Sequence, residues 1–122
     1  MWKIKKSVLI NACSASSNYL PQEFMCFLGG NKKAELIEEI VFLPTRNSED
    51  SASINEYSIP FDDTIVGTLH SHPSSSNNPS EADKRFFRRY SINIILKEPY
   101  FPENSAFYNE KGQRISVEII ND

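Results

Sequence analysis

Along the chain the apolar positions change period several times, and each change marks an element. Val8, Leu9, Ala12, Cys13 and Ser16 recur at helical spacing and give way to Ser17, Asn18 and then Pro21, which predicts a short amphipathic helix over residues 5–17. Residues 24–28 form an apolar run between Pro21 and the pair Gly29 and Gly30, so they predict a buried strand with a hairpin turn at the glycines. Residues 38–43 read as a second strand, stopped by Pro44. A polar stretch follows, then partial alternation over residues 54–59, read as a flexible loop leading into a strand. Residues 65–71 are rich in β-branched and apolar side chains and predict a central strand.

The run Ser74, Ser75, Ser76, Asn77, Asn78, Pro79 excludes regular structure. Ser80 starts a second predicted helix, to about Tyr90, with Phe86, Phe87 and Tyr90 on its apolar face and Lys84, Arg85, Arg88 and Arg89 on its wet face. Residues 92–96 are a continuous apolar strand. Residues 107–109, a turn at Lys111 and Gly112, and the alternation Ile115, Val117, Ile119 predict a closing hairpin. Helix, strands, helix and strands with short links give an α/β fold, a mixed sheet flanked by two main helices, without the repeated βαβ units of a doubly wound sheet.

Length bounds this to one domain over residues 1–122, and the sequence has no internal repeat. A formal net charge of -3 argues against nucleic-acid binding by bulk electrostatics. No stretch has the length of a membrane span. The start, Met1 to Cys13, imitates a basic leader before a lipidated cysteine, but its continuous apolar run is only Val8, Leu9 and Ile10. The expectation is a cytoplasmic protein whose two cysteines, Cys13 and Cys26, are reduced, buried small hydrophobes.

The chemistry concentrates at the end of the central strand. The chain's two histidines, His70 and His72, stand one residue apart. In a strand, positions i and i+2 share a face, so both imidazoles can turn to one metal ion while Ser71 faces away. Two neutral imidazoles at about 2.0–2.1 Å need a third ligand to hold Zn²⁺ and leave a site for water, and Asp83 is the nearest candidate. Ser80, Glu81, Ala82 and Asp83 read equally as a capping motif, and one Asp can serve both purposes.

The combined spacing, His-x-His-Pro, six residues, Ser, two residues, Asp, resembles the signature of the JAMM metalloproteases, the catalytically competent MPN domains. Residues 67–73 look like that family's central strand and residues 79–83 like its helix start. The segment from Pro21 to Gly30 looks like the family's upstream strand and points to Glu23 as the catalytic glutamate. The likeness runs over nearly the whole chain and is greatest to the small single-domain archaeal members. It implies the cytidine-deaminase-like MPN architecture, one Zn²⁺ on His70, His72 and Asp83, Glu23 as general base and acid, and Ser80 as donor to the oxyanion.

That resemblance implies an isopeptidase acting after the C-terminal glycine of a ubiquitin-like modifier, with the modifier and its conjugates as partners. The glycine tail is expected to bind as an added strand along a sheet edge, beside residues 54–59. Lys84, Arg85, Arg88 and Arg89 could receive an acidic modifier surface, Phe61 and Trp2 could hold the partner instead, and residues 45–53 are a candidate for movement at substrate binding. A processing hydrolase for a sulfur-carrier precursor needs the same site, and a non-catalytic MPN scaffold would have lost ligands that this chain keeps. A nucleobase deaminase would need His-x-Glu and paired cysteines, which the chain lacks. Oligomeric state is open, a homodimer included.

Overall fold

The structure, a computed structural model, describes residues 1–42 and 63–122. The strand expected at 54–59, Phe61 and the stretch 45–53 lie outside the described residues. Elements follow in the order β1 (Lys3–Lys5), α1 (Lys6–Tyr19), β2 (Met25–Asn31), β3 (Leu36–Val41), β4 (Ile65–His72), α2 (Glu81–Phe87), β5 (Ile92–Lys97), β6 (Ser105–Tyr108), β7 (Arg114–Ile115) and β8 (Glu118–Ile120). The strands form one mixed sheet in the order β7-β6-β5-β4-β2-β3-β1-β8. Parallel pairing joins β4 to β5 and β1 to both β3 and β8; the remaining neighbours are antiparallel.

The sheet curls on itself. Its outermost strands β7 and β8 are separated in sequence only by Ser116 and Val117, so Ile115 and Glu118 stand at most about 11 Å apart. This corrects the expected closing hairpin. The turn at Lys111 and Gly112 is present, with Gly112 at φ +74°, and β7 does pair with β6. The alternation of Ile115, Val117 and Ile119, however, is shared between the two edges, with Ile119 set beside Ile4 of β1. The short β1 itself carries too few apolar residues to signal a strand.

Gly29 and Gly30 are also not a turn. They lie inside β2, where the register shifts, and the hairpin turn comes at residues 32–35. A Cβ on Gly30 would fall 2.0 Å from the Leu36 carbonyl oxygen, so these glycines permit close strand approach. With the turn displaced, the second strand runs from Leu36 rather than from residue 38.

Helix α1 lays Val8, Leu9, Ala12, Cys13 and Ser16 on the sheet, the face its sequence spacing predicts, and the buried Ser16 hydroxyl donates to the Ala12 carbonyl at 2.8 Å. Cys26, Leu28, Leu69, Ile94, Leu96 and Phe24 face this side. The other side holds Phe87 of α2 with Ile95, Ala106 and Tyr108. Helix α2 is shorter than the expected 80–90, because Tyr90 leaves the helix to pack on Phe27, ring centroids 5.7 Å apart, and its carbonyl accepts from Asn93 at 3.0 Å. Strand β4 is buried from Val66 to Ser71, so both faces are covered and its buried hydroxyls find partners, Thr68 on Asn93 and Ser71 on the Phe24 N–H. No helix among the described residues is long and apolar enough to cross a membrane.

Candidate metal centre

Strand alternation decides which way β4 points its last residues. Leu69 packs with α1, so His70 and His72 emerge on the α2 side. The Phe87 ring stands 6.3 Å from that of His70 and gives it an apolar wall. Helix α2 begins close by, because Ser80 caps it in a reciprocal box: Ser80 Oγ accepts from the Asp83 N–H at 3.1 Å and an Asp83 oxygen accepts from the Ser80 N–H at 2.9 Å. The box turns the Asp83 carboxylate toward the histidines. The capping and the metal-facing readings of Asp83 are therefore both true of its geometry.

The three side chains converge. His70 Nε2 and His72 Nε2 are 3.1 Å apart, and each lies 3.3 Å from an Asp83 oxygen. Adjacent ligands of a tetrahedral ion with bonds of about 2.0–2.1 Å are about 3.3 Å apart, so the spacing fits one such ion. This trio is the group that could hold a metal ion among the described residues. His72 is orientated for it: Nδ1 lies 3.0 Å from the Ser76 carbonyl, which can only accept, so Nδ1 carries the proton and Nε2 keeps its lone pair.

The loop supplying that carbonyl is irregular, as its composition requires, but it is tied down. The Ser74 carbonyl accepts from the Glu98 N–H at 2.8 Å, the Asn77 carbonyl from the Tyr108 hydroxyl at 2.9 Å, and the Asn77 amide donates to the Asn104 carbonyl at 3.1 Å. Ser76 is a residue that sequence reasoning missed. Its contribution is a backbone carbonyl, which no side-chain pattern advertises.

Electrostatics follow the same convergence. Burial pushes the Asp83 carboxyl up, but hydrogen bonds to His70 and His72 outweigh it and hold the group well below the usual carboxylate range. The hydrogen bond to Asp83 raises the His72 imidazole above its ordinary value; burial opposes this, and the Ser76 carbonyl and the charges of Asp83 and Glu23 add to it. Glu23 is thus within electrostatic reach of His72.

Register puts Glu23 on the right face. Met25 pairs with His70, and the Ser71 N–H donates to the Phe24 carbonyl at 2.9 Å, so the next step sets the exposed Glu23 opposite His72. Ser80 is exposed at the same rim; its oxygen accepts from Asp83, which leaves the hydroxyl proton free to be donated. Trp2, by contrast, is buried in the core at 7% exposed, which leaves little of its ring for a partner to contact. The basic face of α2 is solvated as expected, with Arg85 and Arg88 exposed and Lys84 3.7 Å from Glu81.

Sheet, helices and converging ligands define an α/β protein with a candidate site for a single metal ion at the end of its central strand. The chain belongs to the prokaryotic homologs of the JAB domain, whose family model matches residues 5–108. A probable metalloprotease of Haloferax volcanii is 26% identical over 119 residues, which cover 90% of this chain and 74% of the relative. Among solved structures, a JAB1/MPN domain protein from Archaeoglobus fulgidus is 32% identical with a TM-score of 0.76, covering 97% of this chain and 98% of that one. A structure described as a JAMM metalloprotease-like zinc site in the proteasome and signalosome is 30% identical, with a TM-score of 0.77 and 98% of each chain covered. The protein is a small member of the JAMM/MPN metalloprotease family, and its fold is theirs.

Proposed function

We propose that this chain is a zinc-dependent peptidase that hydrolyses the amide bond after the C-terminal glycine of a ubiquitin-like modifier, releasing it from a lysine. The observation that carries the reading is the register that sets Glu23 opposite His72, on the face where His70, His72 and Asp83 converge. A non-catalytic scaffold would be expected to have lost one or more of these groups, and this chain keeps them all.

His70, His72 and Asp83 would hold the ion, two neutral nitrogens and one carboxylate being a donor set suited to zinc. Zinc bound there supplies Lewis acidity toward the scissile carbonyl and lowers the pKa of a coordinated water. Glu23 takes the proton from the attacking water and delivers it to the departing amine. The Ser80 hydroxyl donates to the developing oxyanion, a contact whose loss typically costs about 10²-fold or more in rate. The Ser76 carbonyl keeps His72 in the tautomer that the site needs. Arg85, on the helix that carries Asp83, and Arg88, just past its end, suit an acidic surface on the modifier.

The test is incubation of zinc-loaded protein with a panel of isopeptide conjugates and linear modifier fusions, with and without a chelator. Cleavage after the terminal glycine should vanish on chelation and return with added zinc. Glu23→Gln should keep the zinc and lose activity by about 10²- to 10⁴-fold. Failure of zinc-replete protein to cut any member of the panel, with no difference between wild type and Glu23→Gln, defeats the proposal.

A further inference from the structure

The proposed reaction uses one face of β4, yet the residue between the histidines makes a buried polar contact of its own on the other face. Ser71 is 0% exposed among the apolar side chains against α1, where an unpartnered hydroxyl would be costly. Its Oγ accepts from the Phe24 N–H at 2.8 Å. Tyr100, 6% exposed, donates its hydroxyl to the carbonyl of the next residue, His72, at 2.8 Å. Two side-chain-to-backbone bonds thus bear on consecutive residues of β4, one tying Ser71 to Phe24 and one tying His72 to Tyr100.

Where these two bonds fall matters. Phe24 lies just outside β2, which begins at Met25. The antiparallel ladder is closed there by one backbone bond, Ser71 N–H to the Phe24 carbonyl, and the returning Phe24 N–H goes to the Ser71 side chain instead. A residue at 71 without a hydroxyl would pack equally well in a strand but would leave that N–H buried and unpaired. The Tyr100 bond falls on the main chain of the second histidine.

We infer that Ser71 and Tyr100 are positioning residues that fix the separation of Glu23 from His72, acting on the backbone from behind the sheet. The inference rests on the proposed role of Glu23 as the base. Ser71 holds the peptide unit next to Glu23, and Tyr100 holds His72, so the two bonds together set both sides of the reacting gap.

Three measurements on Ser71→Ala, Ser71→Thr and Tyr100→Phe test this. The first is kcat and KM for conjugate cleavage at saturating zinc. Ser71→Ala should lower kcat by about 10- to 100-fold with KM and zinc affinity unchanged, Ser71→Thr should restore it, and Ser71→Ala should add nothing in a Glu23→Gln background. The second is zinc affinity by chelator competition, which Tyr100→Phe should weaken by about tenfold. The third is amide hydrogen exchange at Phe24, which should accelerate in Ser71→Ala and stay as it is in Glu23→Gln.

An unchanged kcat in Ser71→Ala, or losses that add in the double variant, overturns the inference. So does unchanged Phe24 exchange, even where cleavage is found. A wild type that cuts nothing while Phe24 exchange still responds to Ser71→Ala overturns the proposed peptidase and supports the clamp itself.

Discussion

Ser80 and Asp83 hold each other through two reciprocal bonds, and the Asp83 oxygen that accepts from the Ser80 N–H at 2.9 Å also lies 3.3 Å from His72 Nε2. Helix start and ligand group therefore share an atom. The short helix α2 cannot begin correctly without turning a carboxylate toward the histidines, so folding the cap preorganises the site.

Two substitutions separate these roles. Asp83→Asn keeps a side-chain oxygen for the cap and loses the charge, whereas Asp83→Ala loses both. Both should lower zinc affinity by orders of magnitude. In the metal-free protein both also lose the carboxylate's pairing with the histidines, and the alanine variant should be less stable than the asparagine variant by about a further 1 kcal/mol through the cap. Zinc content and chemical unfolding of the metal-free proteins are the measurements, and an alanine variant that binds zinc like wild type would remove Asp83 from the ligand set.

The same trio sets a pH dependence. Without zinc, the Asp83 carboxyl is held well below its ordinary 3.8 and the His72 imidazole above its ordinary 6.5. A lowered acid contributes stability that is present above 3.8 and lost as pH falls toward its native value. A raised imidazole contributes stability that is present below 6.5 and lost as pH rises through its native value. The metal-free protein should therefore melt highest between about pH 4 and 6.5 and decline on either side. Zinc replaces the proton on His72, so zinc-loaded protein should show no alkaline decline and should instead release metal as pH falls. Melting curves against pH, with zinc and with chelator, would contradict this if the metal-free protein stabilised steadily toward alkaline pH.

Much of this site is written locally. The period of two in β4 placed His70 and His72 together, and the helix signal at Ser80 brought Asp83 near, because both depend on residues within a few positions of one another. Glu23 is different: its facing comes from the pairing of Met25 with His70, a register between segments far apart in sequence. The resemblance to a known family pointed to it; periodicity could not. Ser71 was legible only as facing away, since its partner Phe24 arrives from another part of the chain. Gly29 and Gly30 were misread because glycine marks a turn and a close approach with the same letter, and only the facing Leu36 backbone tells them apart.

Gly67 offers a direct test of close approach in the strand that bears the histidines. A Cβ there would lie 2.1 Å from the Ile92 carbonyl oxygen, which is ladder backbone and cannot swing aside. Gly67→Ala should destabilise the protein by about 1–3 kcal/mol or more and loosen the pairing of β4 with β5. A denaturation midpoint equal to wild type would show that the strands separate more easily than their packing implies.

Cys13 and Cys26 are free and buried, outside the candidate metal group. Burial, with the charge of Glu103 adding, pushes the Cys13 thiol up to about 11, and burial alone pushes Cys26 up to about 12. Since the thiolate is the reacting form, at pH 8 no more than about one part in a thousand of either would be reactive even if a reagent could reach it. Native protein should therefore resist thiol alkylation and label fully once denatured, with zinc content unaffected by the reagent. Rapid stoichiometric labelling of the native fold would mean that α1, which covers both thiols, opens from the sheet far more often than its packing allows.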